Sequence, residues 1–311
     1  MGIEAPRSLA EQVEREGHLA RLHTEARNHA TLRENIFAQM KASRGEKYRW
    51  FLRGIAVLKH ITDTPEQAEV IENFYVAMRY VDDLVDGDVK LPQGYTGPTQ
   101  YVEEKINFLE ANRPPKDDIE KLIALCIQLG TEFEHDYRED AKDILNCLFF
   151  DAKRRGKHEV FDEKTLHDHF YLLDIKGTIK GALEVVGEKP ELYKVLEPLG
   201  EAVRIYYNLR DFNSDIAAGY INISREDCKR LDIPKHLLAA GSYRHHPGVR
   251  AWFLEQAQKG LALIEEYHRR KKDVTFGPAT SATLKVGYEF NAKRFLKAVA
   301  GGDFDKILDR A

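Results

Sequence analysis

Cysteine is scarce in this 311-residue chain, and its three cysteines, Cys126, Cys147 and Cys228, are odd in number and widely spaced. This spacing excludes a disulfide framework and a CxxC metal site, so we predict a reducing compartment. No apolar run approaches the roughly 20 residues that span a bilayer, and the N-terminal sequence lacks the apolar core of a signal peptide. We therefore predict a cytoplasmic protein.

A large excess of positive charge is also absent. Lys and Arg number 47 against 51 Asp and Glu, giving a formal net charge of -4. This balance excludes a broad electrostatic footprint for nucleic acid, so any anion must be bound locally. Neither GxGxxG nor GxxxxGK[ST] occurs, and the 12 histidines are scattered without the spacing of a zinc site.

Helical periodicity of apolar residues runs through almost the whole chain, and no series of alternating strands is present. The sequence predicts an all-α protein. Proline and glycine turns predict long helices near 66–88, 163–186, 191–217, 248–271 and 279–298. No linker or repeat divides the pattern, so we predict one helical domain over 46–311, preceded by a strongly charged helical arm over 1–45.

An acidic helix face ends the first of these helices. In the segment FYVAMRYVDDLVDGD, helical spacing puts Tyr75, Arg79, Asp82 and Asp86 on one face, with Asp83 beside it. Carboxylates this close repel one another and normally need a counter-charge, which a hard divalent cation supplies. The alternative is a solvated helix end.

A second acidic face lies in the segment YYNLRDFNSDIAAGY. Here Arg204, Tyr207, Asp211 and Asp215 share a helical face, and Arg210 flanks them. Two such faces on different helices can converge in a bundle, which indicates a diphosphate held by metal ions. The alternative is a surface helix on which Arg210 pairs with its acidic neighbours.

These residues resemble the motifs of the squalene and phytoene synthase family of prenyltransferases. Its first aspartate-rich motif, an aromatic residue, then Arg, then DDxxD, resembles Tyr75 to Asp86. Its second, RDxxxD followed by a short run to a Pro-containing segment, resembles the stretch from Arg210 to GYINISREDCKRLDIP. The segment FYLLDIKGTIKGAL resembles a family helix with Tyr171 in a matching place, and Tyr288 resembles a tyrosine of the final core helix.

The resemblance implies a helical bundle of the isoprenoid synthase type with a central cavity. It implies that Mg²⁺ bridges a prenyl diphosphate to both motifs, with candidate metal ligands Asp82, Asp83, Asp86, Asp211 and Asp215. The implied catalytic set is Asp82, Asp86, Asp211, Asp215 and Tyr171. The implied substrate-binding set is Tyr75, Arg79, Lys176, Lys180, Tyr207, Arg210 and Tyr288. The family also uses NADPH in some members, which no feature of this sequence indicates. For each tyrosine, ordinary core packing is the alternative.

The sequence departs from the family pattern at three places. The family's SFSYA stretch is replaced by RWFLRGIAVLKHI, and the usual Asn four residues before Asp211 is Tyr207. Lys176 and Lys180 replace small residues of the prenyl channel, where unpaired charge is costly. These lysines bind an anion, pair with Asp174, or lie in solvent on a rotated helix.

The sequence therefore predicts an Mg²⁺-dependent enzyme that ionises a C15 or C20 prenyl diphosphate, farnesyl or geranylgeranyl, and joins it head-to-head to a second one. Prenyl transfer to a non-isoprenoid acceptor such as an indole ring, or terpene cyclisation, is an alternative. A non-catalytic assembly factor is a further alternative. The basic runs at 153–155 and 268–272 cap helix C-termini or, alternatively, contact an anionic membrane surface.

Overall fold

The computed structural model describes residues 17–18, 20–21, 24, 30–40, 42, 62, 64–133 and 135–308. Most of the predicted charged arm and the segment RWFLRGIAVLKHI lie outside the described residues. In the described part the chain is helical, and the one β contact there is an isolated parallel bridge between Glu159 and Tyr220. The prediction of an all-α protein is confirmed.

Fourteen α-helices are numbered here in chain order. They are α1 Pro65–Val85, α2 Pro98–Ala111, α3 Asp118–Gly130, α4 Tyr137–Arg154, α5 Glu163–Phe170, α6 Gly181–Val185, α7 Tyr193–Arg210, α8 Phe212–Ala217, α9 Arg225–Arg230, α10 Lys235–Ala239, α11 Pro247–Arg270, α12 Pro278–Thr283, α13 Phe290–Ala300 and α14 Asp305–Leu308. Two π-helical segments, Tyr171–Lys180 and Leu284–Glu289, join α5 to α6 and α12 to α13.

Local sequence explains where α1 begins and ends. The Thr64 hydroxyl accepts a hydrogen bond from the Gln67 backbone amide, the Gln67 side-chain oxygen accepts one from the Thr64 backbone amide, and Pro65 occupies the first turn. This capping box satisfies amide groups that otherwise lack partners at a helix start. At the other end Gly87 has φ +75°, a left-handed conformation that favours glycine, so the helix stops just before the last of the clustered aspartates.

Two helix layers form the core. On one side, α1 packs on α3 and α4 through a core that includes Val81, Leu84 and Leu145. On the other, α7 packs on α11, with α13 beside them, around Phe212, Trp252 and Phe253. The first π segment lies between α4 and α7 and therefore joins the two layers.

The predicted helices differ from the structure mainly by interruptions. The predicted helix 66–88 ends at Val85, and the predicted helix 191–217 is broken at Asp211 into α7 and α8. The predicted helices 163–186 and 279–298 each contain a π segment, which changes the direction of the side chains that follow it. Such segments occur frequently at functional sites.

Candidate active site

The acidic end of α1 is held together by Arg79. Its guanidinium contacts Asp82 at 2.5 Å and Asp83 at 2.8 Å. Asp82 is 30% exposed, whereas the Asp83 side chain is fully buried. Asp82 therefore faces outward from the helix, and Asp83 fixes the arginine from within.

The second acidic group lies at the junction of α7 and α8. Arg210 binds Asp211 through both guanidinium arms, with Nε to Oδ1 at 2.8 Å and Nη2 to Oδ2 at 2.5 Å. Arg210 also donates to the Tyr206 hydroxyl and lies 4.7 Å from the centre of the Tyr207 ring. Bidentate pairing with the neighbouring acid is present as the sequence alternative proposed. The pair is exposed, but Asp211 lies close enough to Asp215 to raise its pKa.

The two motifs meet through the loop that follows α8. The Tyr220 hydroxyl lies 3.4 Å from Asp86 Oδ1, and the Asn222 amide donates to Asp215 Oδ2 at 2.9 Å. Arg154 from the end of α4 donates to Asn222 Oδ1 at 2.9 Å and lies 4.8 Å from the centre of the Tyr220 ring. The aspartates of α1 and α8 are therefore neighbours in space, joined by three side chains.

Sequence reasoning missed Arg154, Tyr220 and Asn222 as parts of this site. Arg154 is buried between Asp151 and Asn222. The basic run at 153–155 is predicted to cap helix C-termini, and Arg155 donates to the Val85 carbonyl at 2.8 Å, at the C-terminus of α1. A cation at that position interacts favourably with the helix dipole. The long family-like stretch after Asp215 was the signal that could have identified Tyr220 and Asn222.

Asp215 carries the strongest electrostatic signature of the site. Burial and the charges of Asp211 and Asp86 together raise its pKa to about 7, and Arg154 and Arg204 oppose the shift. Excess negative charge around a buried carboxylate is what a divalent cation neutralises. The donor set, oxygen atoms of aspartates from two helices, also matches the preference of Mg²⁺. Asp86, Asp211 and Asp215 therefore lie close enough to influence one another electrostatically, and their oxygen atoms suit a hard metal ion.

The raised pKa of Asp215 gives a pH prediction for the metal-free protein. Its ordinary value is 3.8, so the contribution of this group to stability is present below about pH 4 and is lost as the pH rises through 7. We expect Asp215→Asn, measured by thermal unfolding in a chelator, to raise the melting temperature at pH 8 by a few degrees and to change little near pH 4. The gain in the free energy of unfolding at pH 8 should not exceed about 4 kcal/mol. Equal shifts at both pH values, or the same shift in the surface control Asp118→Asn, would contradict this assignment.

The first π segment carries three of the predicted site residues. The Tyr171 hydroxyl donates to Glu197 at 2.6 Å, Lys176 lies 3.5 Å from the Tyr193 hydroxyl, and Lys180 lies 4.0 Å from Asp140. Both lysines are half-buried, and 32% of the Lys180 side chain is exposed.

Asp174 pairs with an arginine rather than with either lysine. Arg204 of α7 binds it in bidentate fashion at 2.6 and 2.7 Å, so the alternative of a pair between Asp174 and a lysine is wrong. The Arg204 guanidinium lies 4.7 Å from the centre of the Phe170 ring. This pair links the first π segment to α7, about two helical turns before Asp211.

The predicted tyrosines lie in two places. Tyr75 packs at the edge of the α1 core, and Tyr171, Tyr207 and Tyr288 pack around Ile175, Ile179 and Val203. Burial raises the pKa of Tyr288 to about 12, with Tyr207 and Asp174 nearby. The structure thus brings three of the four tyrosines to one apolar cluster between the first π segment, α7 and the second π segment.

A cavity of about 130 Å³ opens between α5, the first π segment, α7 and α11. Its lining includes Tyr171, Arg204, Asn208, Asn222 and Trp252, but none of the five predicted metal ligands. Ligand sites in proteins typically enclose roughly 300 to 1,000 Å³. In this conformation the cavity adjoins the acidic site through Asn222 and is smaller than such sites.

Comparisons with known proteins agree with the motifs. No family model matches the chain. It is 24% identical over 264 residues to the chloroplastic phytoene synthase of Daucus carota, covering 80% of this chain and 60% of that protein's length. The crystal structure of squalene synthase HpnC from Alicyclobacillus acidocaldarius superposes with a TM-score of 0.62 at 17% identity, covering 90% of this chain and 98% of that one.

The chain has an all-α fold that matches the fold of that squalene synthase. Both comparisons support the resemblance to the squalene and phytoene synthase family. The resemblance drawn from the sequence motifs is confirmed at this level. No helix among the described residues is long and apolar enough to span a bilayer.

Proposed function

We propose that this protein is an Mg²⁺-dependent prenyltransferase that ionises a C15 or C20 prenyl diphosphate and condenses it head-to-head with a second one. The observation that carries the proposal is the meeting of carboxylates from α1 and α8 at Tyr220 and Asn222. The likeness to a phytoene synthase and to a squalene synthase supports the same class of reaction.

In this mechanism the diphosphate is bound at the rim formed by Asp82, Asp86, Asp211 and Asp215. Mg²⁺ held by these carboxylates supplies the charge that neutralises the leaving diphosphate. Arg79 and Arg210, which now contact Asp82 and Asp211, can turn to the phosphate oxygens because a guanidinium binds phosphate and carboxylate with the same geometry. Asp83, buried behind Arg79, positions that arginine rather than reaching the metal.

The allylic C–O bond breaks with its electron pair leaving on the diphosphate, and the carbocation then forms a C–C bond with the acceptor's double bond. Tyr171, Tyr207 and Tyr288 surround the apolar cluster next to the acidic site, where their ring faces stabilise a cation and exclude water. The hydrogen bond from Tyr171 to Glu197 provides a route for the proton that the product must lose. The Asp174–Arg204 pair holds the first π segment, which carries Tyr171, against α7.

A second candidate acceptor is favoured by the charges on the first π segment. Lys176, Lys180 and the Asp174–Arg204 pair lie where the family resemblance places small residues or a lipid channel. Buried charge disfavours a second prenyl chain unless it is fully paired. Prenyl transfer to a polar, non-isoprenoid acceptor therefore shares the ionisation step but not the product.

Product analysis distinguishes these proposals. Purified protein would be incubated with farnesyl or geranylgeranyl diphosphate, with and without Mg²⁺ and NADPH, and the products identified by mass spectrometry. We expect a metal-dependent C30 or C40 product or its cyclopropyl diphosphate precursor. Release of only prenyl alcohol or a monomeric terpene would retain ionisation and overturn head-to-head condensation. Absence of any metal-dependent turnover would favour the non-catalytic alternative.

A further inference from the structure

A second group of metal-ligating side chains lies away from the paired aspartates. His135 precedes α4, Asp140 is in the first turn of α4, and Glu184 is in α6. His135 Nε2 lies 2.6 Å from Asp140 Oδ2, and Nδ1 contacts Glu184 Oε2. One nitrogen and two oxygen ligand atoms of these residues lie within 4.8 Å of one another.

This group is buried and its charges are unbalanced. The side chains of His135, Asp140 and Glu184 are 15%, 3% and 10% exposed. Glu184 Oε2 is buried and, although His135 Nδ1 touches it, has no hydrogen bond of acceptable geometry. The Lys180 Nζ lies 4.0 Å from Asp140 Oδ1, which is a long distance for an ion pair. Two buried carboxylates therefore share one imidazole, and a bound cation would balance the remaining negative charge.

The neighbouring Tyr137 has a buried hydroxyl without a hydrogen-bond partner. Tyr137 is 1% exposed, its ring packs edge-on against the His135 ring at 4.4 Å, and its hydroxyl has no hydrogen-bond partner. Burial raises the pKa of Tyr137, and the carboxylates of Glu184 and Asp140 raise it further, which places both acids near this hydroxyl. The buried cluster therefore adjoins one polar atom, the Tyr137 hydroxyl, that has no hydrogen-bond partner.

We propose that His135, Asp140 and Glu184 form a binding site for a divalent transition-metal ion of the Zn²⁺ type. An imidazole nitrogen combined with carboxylate oxygens suits Zn²⁺, whereas Mg²⁺ prefers oxygen ligands alone. Three protein ligands leave the fourth tetrahedral position for water. The site shares no residue with the paired aspartates and does not depend on the proposed function.

A bound ion would connect parts of the fold that are far apart in sequence. His135 and Asp140 belong to the start of α4, and Glu184 belongs to the helix that follows the first π segment directly. Coordination would therefore fix the end of the segment that carries Lys176 and Lys180. The ion's role is accordingly structural, at the boundary of the candidate active site.

The test uses the full chain, freed of metal by chelation and dialysed against Zn²⁺, with bound metal measured by mass spectrometry and stability by thermal unfolding. We expect about one Zn²⁺ per chain in an Asp82→Asn/Asp211→Asn background, with a melting temperature raised by several degrees. Glu184→Gln and His135→Gln should each lower Zn²⁺ affinity at least tenfold, and the exposed control His245→Gln should not. Circular dichroism checks that each variant is folded.

Two results would overturn the proposal. If the Glu184→Gln and His135→Gln variants bind Zn²⁺ as tightly as the unmodified chain, the ion is held elsewhere. If the unmodified chain binds no Zn²⁺ and the His135 imidazole remains protonated on both nitrogens in NMR spectra, the cluster is an imidazolium held between two carboxylates.

Discussion

Asp211→Asn is expected to reduce Mg²⁺-dependent turnover of a prenyl diphosphate by about 10³-fold or more. The change removes a carboxylate that holds the metal, and the metal is needed to neutralise the leaving diphosphate. Asp82→Asn is expected to have a similar effect from the opposite helix. Neither change should disturb the fold, since both side chains are 30% to 40% exposed at the rim. Steady-state kinetics with the substrate named by product analysis measures the effect.

The matched control is Asp118→Asn, an exposed aspartate at the start of α3 that pairs with Lys121. It should retain normal turnover and normal Mg²⁺-dependent stabilisation. The two site variants should lose that stabilisation along with activity, which provides a readout independent of the substrate. Near-normal turnover in Asp211→Asn would show that the paired aspartates do not hold the catalytic metal.

Arg204→Ala is expected to lower the free energy of unfolding by about 3 kcal/mol, because it leaves Asp174 in a largely buried position without its bidentate partner. The two side chains are 22% and 23% exposed, so the effect lies at the low end for buried pairs. Loss of packing on Phe170 adds to it. Urea unfolding of Arg204→Ala, Asp174→Asn and the double variant measures the coupling between the two residues.

Arg230 provides the control for this prediction. It pairs with Glu255 and Asp227 at similar distances, but it is 51% exposed and Glu255 is 43% exposed. Exposed ion pairs contribute little to stability, so Arg230→Ala should lower the free energy of unfolding much less than Arg204→Ala does. If Arg204→Ala costs no more than Arg230→Ala, the Asp174–Arg204 pair does not hold the first π segment to α7.

The helices and the acidic motifs could be predicted because both are local properties of the sequence. Apolar spacing and proline or glycine turns located α1, the α5–α6 region, α7, α11 and the α12–α13 region within a few residues. Helical spacing likewise placed Asp82 and Asp86 on one face. The metal ligands and the role of Tyr171 remain predictions, because the comparisons do not test single residues.

The partners of the motif residues could not be predicted, because they come from distant parts of the chain. Arg154 reaches Asn222 across 68 positions, and Tyr220 reaches Asp86 across 134. A spacing pattern contains no information about such contacts. For the same reason, the scattered histidines gave no sign that His135 would meet Asp140 and Glu184.

The sequence by itself determined the class of fold, the two carboxylate groups and the likeness to prenyltransferases, since these depend on periodicity and on short motifs. The tertiary structure decided which charges meet. It paired Asp174 with Arg204 instead of a lysine, placed Arg154 and Arg155 against the acidic site, and converted Tyr171–Lys180 into a π segment. Packing between helices sets these outcomes, because a buried charge without a partner costs much more free energy than a paired one.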